Sequence, residues 1–320
     1  MQYLSEEIIE KCVNMRDAAE AVKLAYAMAE KGQIVTPLRT VIPAQKGSLL
    51  FMPAYSEQLG FAVLKNVNVF PENAGSGLAT TPAEILLIDA KNGYVLTMLD
   101  GTYVTQLRTG AASCAAFDLL AKKCCKKGAL IGTGGQAQAQ LDAMLTAREL
   151  KEVSIFSRNY EKCAAFTEKM SAKFAESGVN FVCAKSAAEC VEDADLIITA
   201  TTASKPVFDG SLVKKGATVS CIGTYEPHKH EIAPELIARA DKIYCDSKEA
   251  VLSESGDILI PISCGIITEN DIFGGLGEVV NGTLPGREND DEIIVFESVG
   301  IAAQDLTASV MIYRKALVSE

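Results

Sequence analysis

The chain has 320 residues, 48% of them hydrophobic, and carries 30 basic against 41 acidic side chains for a formal net charge of −11. At about 100–200 residues per domain this length predicts two domains, and a mean hydropathy of +0.16 supplies apolar material for two cores, which excludes a disordered chain. A pI near 4.9 repels phosphate backbones and anionic lipid, so no nucleic acid and no membrane is expected among the partners.

No apolar run approaches the ~18 residues that span a bilayer, and Met1 to Glu10 holds three glutamates where a secretory leader would be basic and then greasy. A cytoplasmic protein is expected. The ten cysteines are scattered without a Cys-x-x-Cys pair and read as small buried hydrophobes in a reducing compartment. With His228 and His230 the only histidines, no metal site is expected.

Ala18, Val22, Ala25 and Ala29 recur at helical spacing up to Gly32, which predicts one amphipathic helix with a glycine end. The period then changes to two. Residues 48–55 and 61–70 read as strands, and 84–89 with 94–99 flank Asn92-Gly93, a hairpin signal because both residues tolerate positive φ. A helix is predicted from about Arg108, with Lys122, Lys123, Lys126 and Lys127 complementing the dipole at its end before Gly128. From there six short apolar runs (129–131, 153–156, 181–184, 196–200, 218–222 and 242–245) alternate with helix-like or loop segments, the pattern of a parallel sheet with crossover helices. Ala303, Leu306, Val310, Tyr313 and Leu317 then mark a terminal helix, expected to dock on the first domain.

Gly132-Thr133-Gly134-Gly135-Gln136-Ala137 joins the first of those strands to a helix over 136–147. Gly132 permits the tight turn, Gly134 lets backbone approach a pyrophosphate, and Ala137 allows close helix packing, with the anion on the helix's first amides. An NAD site normally places an acidic residue at the end of the second strand for the ribose hydroxyls. Here that position reads Ser157-Arg158-Asn159, whose donors suit a 2′-phosphate, so NADP(H) is the preferred cofactor and NAD(H) the alternative.

Within 61–70 the alternation puts Phe61, Val63, Lys65, Val67 and Val69 on one face, making Lys65 a single ammonium in an apolar row. Desolvation lowers the pKa of such a group, so it is tied to an anion or poised to exchange a proton near neutrality. The strand pattern alone leaves open a lysine that snorkels at a sheet edge. Arg39 and Arg108 each stand among uncharged residues, and two such arginines near one lysine would clamp a carboxylate.

Lys65, Gly77-Leu78-Ala79-Thr80-Thr81, Asp100-Gly101 through Leu107-Arg108-Thr109-Gly110-Ala111-Ala112-Ser113, the 132–137 turn, Asp246-Ser247, Glu254-Ser255-Gly256-Asp257, Ser298-Val299-Gly300 and Gln304-Asp305-Leu306 together resemble the ornithine cyclodeaminase and mu-crystallin family, in order and over nearly the whole chain. The resemblance implies an α/β fold in which a doubly wound Rossmann domain, residues 121–299, is inserted in an antiparallel α+β domain of residues 1–120 and 300–320 that binds substrate and forms a homodimer. It implies that Arg39 and Arg108 bind a substrate carboxylate, that Lys65 handles the proton, and that Met52, Tyr225, Val299 and Gly300 line the pocket. Thr80, Arg108, Thr109, Ala200, Thr201, Thr202, Ile222, Gly223 and Val299 would join the turn and residues 157–159 around the cofactor.

Members of that family include ornithine cyclodeaminases, alanine dehydrogenases and reductases of cyclic imines. The cyclodeaminases carry an aspartate, in a Gly-x-Asp setting, that holds the substrate's side-chain amine. In Gly223-Thr224-Tyr225-Glu226 the aspartate's place is taken by Tyr225, a neutral phenol at pH 7, with Glu226 one residue along. The expected activity is therefore NAD(P)H-dependent reduction of a small α-imino acid of the pyrroline- or piperideine-2-carboxylate type, or the related alanine dehydrogenase reaction. Ornithine cyclodeamination and non-catalytic ligand binding with NADP are the alternatives.

Overall fold

The computed structural model describes residues 2–73 and 75–319. In chain order it runs β1 (Gln2–Leu4), α1 (Glu6–Cys12), α2 (Met15–Glu30), β2 (Thr40–Ala44), β3 (Gly47–Ser56), β4 (Phe61–Val69), β5 (Ala83–Asp89), β6 (Val95–Asp100) and α3 (Gly101–Leu120). It continues with β7 (Lys127–Ile131), α4 (Ala137–Ala147), β8 (Glu152–Phe156), α5 (Tyr160–Lys173), β9 (Asn180–Cys183), α6 (Ala187–Val191), β10 (Leu196–Thr199), β11 (Thr218–Cys221), α7 (Pro234–Arg239) and β12 (Lys242–Cys245). The last elements are α8 (Lys248–Glu254), α9 (Gly256–Ser263), β13 (Ile272–Gly275), α10 (Leu276–Val280), β14 (Ile294–Glu297) and α11 (Ala302–Ser319). Two compact units result, Met1–Arg108 with Ile301–Glu320, and Thr109–Gly300. The first boundary thus falls inside α3, not after it at 120/121.

In the first unit the sheet order is β1-β6-β5-β4-β3-β2, antiparallel throughout except that β1 runs parallel to β6. Period-two burial selects one face: Leu50, Met52, Ala54, Val63, Lys65, Val67, Ile85, Leu87 and Leu99 are all buried. The terminal helix α11 packs along α2 and across β3, β4 and β5, so it docks on this unit as expected. Asn14 opens α2 with a capping box to Asp17, and Gly32 follows its end at φ 65°. At Asn92-Gly93 only Gly93 takes a positive φ, 79°, and its amide donates to the Asp89 carbonyl. The hairpin therefore closes through a wider loop than the two-residue turn that the dipeptide suggests, because Asp89 and Asn92 spend their side chains on the Lys91 and Tyr94 amides.

The second unit holds an all-parallel sheet of eight strands, ordered β13-β12-β14-β11-β10-β7-β8-β9. The six expected strands are present, and β13 and β14 are additions. From β7 the chain winds one way to β8 and β9 and then returns to β10 on the other side, so the topological switch point lies between β7 and β10. The last carbonyls of α3 are held by arginines and not by the lysine run: Arg148 donates to the Phe117 and Ala121 carbonyls, and Arg287 Nε to that of Leu120. Lys122 pairs with Asp195 instead. All ten cysteines are free, and no helix among the described residues is long and apolar enough to cross a membrane.

Candidate active site

Lys65 occupies the middle of β4 on the face beneath α11, opposite Met52 of β3 and Ile85 of β5 in the ladder. It is wholly buried, which settles the alternative of an edge lysine. Its Nζ lies 2.7 Å from Oδ2 of Asp305, in the first turn of α11, and Asp305 is equally buried. The approach lies off hydrogen-bond geometry, so the contact is an ion pair and the donors of Nζ remain unspent. The other carboxylate oxygen, Oδ1, accepts from Arg108 Nε at 3.2 Å. Arg108 Nη1 donates to Gln304 Oε1 at 3.1 Å, and Gln304 Nε2 donates in turn to the hydroxyl of Tyr26 at 2.8 Å.

Two buried cations thus share one carboxylate. Burial is the largest influence on Lys65, repulsion by Arg108 adds to it, and Asp305 opposes both, which together pull the ammonium down to about 7. Arg39, half-buried just ahead of β2, adds a lesser repulsion. A site with this excess of positive charge is complementary to a small anion. Arg108 sits well inside α3, whose start is Gly101, and not at a helix N-terminus as the sequence suggests. Its side chain therefore leaves the helix flank with a fixed direction toward Asp305. Thr80 also lies in this unit and is exposed, its carbonyl accepting from the Phe70 amide.

Gln304 and Asp305 are the functional residues that sequence reasoning passes over. Their only signal is the Gln304-Asp305-Leu306 run itself, since on an amphipathic helix two polar residues read as the wet face. In α11 residues 302–310 are buried all round, so the wet-face reading fails.

In the second unit the remaining candidates gather at the carboxyl ends of the parallel strands: Gly132 to Ala137 after β7, Ser157 to Asn159 after β8, Ala200 to Thr202 after β10, Ile222 and Gly223 after β11, and Val299 and Gly300 after β14. Thr109 and Tyr225 belong to this unit too, Thr109 in α3 and Tyr225 in the loop after β11. Gly132 has φ 113° and no room for a Cβ, which would overlap the Ala200 carbonyl, while its amide donates to the Phe156 carbonyl. Gly134 is exposed and a Cβ there would meet nothing within 4 Å. The turn is therefore tight at its base and open above, and α4 begins without a side-chain cap. Such a cradle fits the pyrophosphate of a dinucleotide.

Arg158 is exposed at the end of β8, Ser157 Oγ donates to the Asn159 carbonyl, and Asn159 Oδ1 caps α5 at Lys162. Only the amino side of Asn159 is thus left for a ligand. Glu226 is engaged by Lys229 three residues on. Among the described residues no group of three or more His, Cys, Asp or Glu is arranged to hold a metal ion.

Replacing Asp305 by Asn leaves Lys65 and Arg108 buried without their anion and should cost about 3–5 kcal/mol of stability at pH 6. The loss should shrink as pH rises from 6 to about 8, because Asp305 is what holds the Lys65 proton up to about 7 and the substituted chain gives that proton up at lower pH. Urea midpoints at the two pH values measure both effects, and an unchanged midpoint at pH 6 contradicts the ion pair.

A sequence profile of the ornithine cyclodeaminase/mu-crystallin family matches residues 2–320. The chain is 36% identical over 309 residues to a Delta(1)-pyrroline-2-carboxylate reductase of Bacillus cereus, covering 96% of this chain and 94% of that protein. Among solved structures, the Delta(1)-pyrroline-2-carboxylate reductase of Thermococcus litoralis in complex with NADH and L-proline superposes with a TM-score of 0.95 at 38% identity, over 100% of this chain and 98% of that one. An archaeal alanine dehydrogenase dimer with bound NAD gives a TM-score of 0.91 at 32% identity, over 100% and 97%. The expected kinship is borne out along the full length, and the chain belongs to the ornithine cyclodeaminase/mu-crystallin family.

Proposed function

We propose that the protein is an NAD(P)H-dependent reductase of a small α-imino acid, of the pyrroline- or piperideine-2-carboxylate type, yielding the L-amino acid, with the alanine dehydrogenase reaction as its acyclic counterpart. The observation that carries this reading is the buried Lys65, held near neutrality between Arg108 and Asp305. The names of the Bacillus cereus and Thermococcus litoralis relatives support it. In the first unit Arg39 and the unspent Nη2 of Arg108 bind the substrate carboxylate beside Met52, which faces Lys65 in the ladder, and Tyr225, Val299 and Gly300 are the substrate-binding candidates of the second unit. Lys65 holds a proton at Nζ for the imine nitrogen, and protonation there makes the adjacent carbon electrophilic. Asp305 keeps that ammonium charged and, through Arg108, in register. A nicotinamide bound at the strand ends of the second unit supplies hydride chemistry. Gly132 to Ala137 would hold its pyrophosphate, with Thr109 and residues 200–202 and 222–223 of the same unit completing the site.

Ornithine cyclodeamination is disfavoured by Tyr225 and by the commitment of Glu226 to Lys229, which leaves the substrate's second amine without the aspartate found in that branch. Incubation of the purified protein with NADH or NADPH and pyrroline-2-carboxylate, piperideine-2-carboxylate, pyruvate with ammonia, or ornithine should consume reduced cofactor with a cyclic imine. Ammonia release from ornithine without net cofactor change would overturn the assignment. Lys65→Met should lower kcat/KM by roughly 10²–10⁴-fold. Reduction should decline as pH rises through about 7, where Lys65 loses its proton, and oxidation of the amino acid should rise over the same window.

For the cofactor we infer a preference for NADP(H) over NAD(H), supported by the exposed Arg158 and the absence of a carboxylate at 157–159. Arg158→Glu should raise KM for NADPH roughly ten-fold or more and change that for NADH little, since a carboxylate repels only the 2′-phosphate. Equal changes for both nucleotides would contradict the preference.

We further infer a homodimer formed through the first unit. Val35, Val41 and Ile42, in and beside the edge strand β2, are 62%, 48% and 47% exposed, apolar side chains at an edge whose free backbone groups suit pairing with a second copy. Light scattering should give twice the chain mass of 34.1 kDa, and Val41→Asp with Ile42→Asp should return the monomer.

A further inference from the structure

Beneath the nucleotide cradle the second unit buries carboxyl groups that the proposed reaction does not use. Glu231, in the loop before α7, is wholly buried, and its Oε1 accepts from the Thr201 amide at 2.6 Å. Its own carbonyl accepts from the Val207 amide at 2.8 Å. Asp257, in the first turn of α9, fixes Glu231 from behind, because its Oδ1 accepts from the amides of Glu231 and Ile232 at 2.7 and 2.9 Å. In front, Gly223 must lack a side chain: a Cβ there would overlap Glu231 Oε2 and come within 2.6 Å of the Thr201 carbonyl. Thr201 reaches the cradle, since its Cγ2 and the Ala200 carbonyl are what a Cβ on Gly132 would meet. An unbroken line of contacts therefore runs from α9 through Asp257, Glu231 and Thr201 to the glycine turn.

We infer that Glu231 is a positioning residue of the nucleotide site, holding the 200–202 loop against the Gly132 turn through the Thr201 amide. The inference rests on the nucleotide-binding reading above and adds a residue to it that need not touch the cofactor. Burial first, and repulsion by Asp257 second, raise Glu231 to about 8, so at neutral pH it performs this task as an uncharged acid. The titratable groups around it are Asp257, Glu297 at the end of β14 and Cys221 at the end of β11, with Asp246 beyond Glu297. All are acidic, and Thr199 and Thr201 are the neutral neighbours. Ionisation does not remove the acceptor: the Thr201 amide donates to Glu231 Oε1 whether the carboxyl is neutral or charged, and that hydrogen bond favours the charged form.

The test is NADH affinity, read by nicotinamide fluorescence at about pH 7 in the full chain, Glu231→Gln and Glu231→Ala, with thermal unfolding in parallel. Glu231→Gln keeps an oxygen acceptor of the same shape for the Thr201 amide and should bind within about two-fold of the unsubstituted chain. Glu231→Ala should bind roughly ten-fold more weakly, having lost a buried hydrogen bond at the loop. Undiminished affinity in Glu231→Ala, or a loss in Glu231→Gln as large as that in Glu231→Ala, overturns the positioning role. If Glu231→Ala does not fold, Glu231→Met, which fills the same volume without an oxygen acceptor, decides in its place. Failure of the unsubstituted chain to bind NADH or NADPH at all is a separate result, which refutes the nucleotide reading and the role of Glu231 together.

Discussion

A single carboxylate, Asp305, is shared by two cations in the interior of the first unit, and much else in that unit follows from it. Burying charge is costly, so each member of the group is held by a rigid element: Lys65 by the central strand β4, Arg108 by the flank of α3, and Asp305 by the first turn of α11. Gln304 and Tyr26 extend the network to α2, which leaves Arg108 little freedom to reorient. The arrangement is short of one negative charge. A small anion would complete it, and the same deficit keeps the Lys65 proton loosely held.

The second unit is organised by strand ends. Its sheet changes winding direction between β7 and β10, and the loops that leave those two strands are in contact through Gly132 and Ala200. Three glycines whose side chains would clash are found around this point or its support: Gly132 against Ala200, Gly223 against Glu231, and Gly256 against the Lys229 carbonyl. Each removes a Cβ where backbone and buried acid must approach closely. The cradle is thus rigid at its base, while its upper rim at Gly134 stays open.

How much of this was visible beforehand depended on how local the cause was. The apolar alternation around Lys65, the glycine turn after a strand and the helix ending at Gly32 are each set by a few neighbouring residues, and each was legible. The hairpin at Asn92 was legible in place but not in kind, because Asp89 and Asn92 drew their side chains back onto the turn's own amides. Arg108 was assigned to a helix start because nothing in Gly101 to Leu107 announces a cap; the helix begins early by packing, with Gly101 pressed against the backbone of Ala83 and Glu84. The strand β13 reads Ile272-Phe273-Gly274-Gly275, and its two glycines remove the strand signal, whereas β14 lies in an apolar run like those of the equally short β9 to β12 and was passed over. Gln304 and Asp305 could not be recognised from spacing, since their partners lie some two hundred residues away in the chain.

The placement of α11 has a further consequence for biosynthesis. This helix supplies the centre of the first unit, covering β3, β4 and β5 and lying along α2, so those elements lack their covering until a stretch nearly two hundred residues further along the chain emerges. All of residues 109–300 are translated in between, a delay of tens of seconds at ~5–20 residues per second. During that interval the nascent sheet carries Lys65 uncovered and without its counter-ion. Completion of the first unit therefore waits on synthesis of the whole of the second, an order fixed by where α11 lies in the chain.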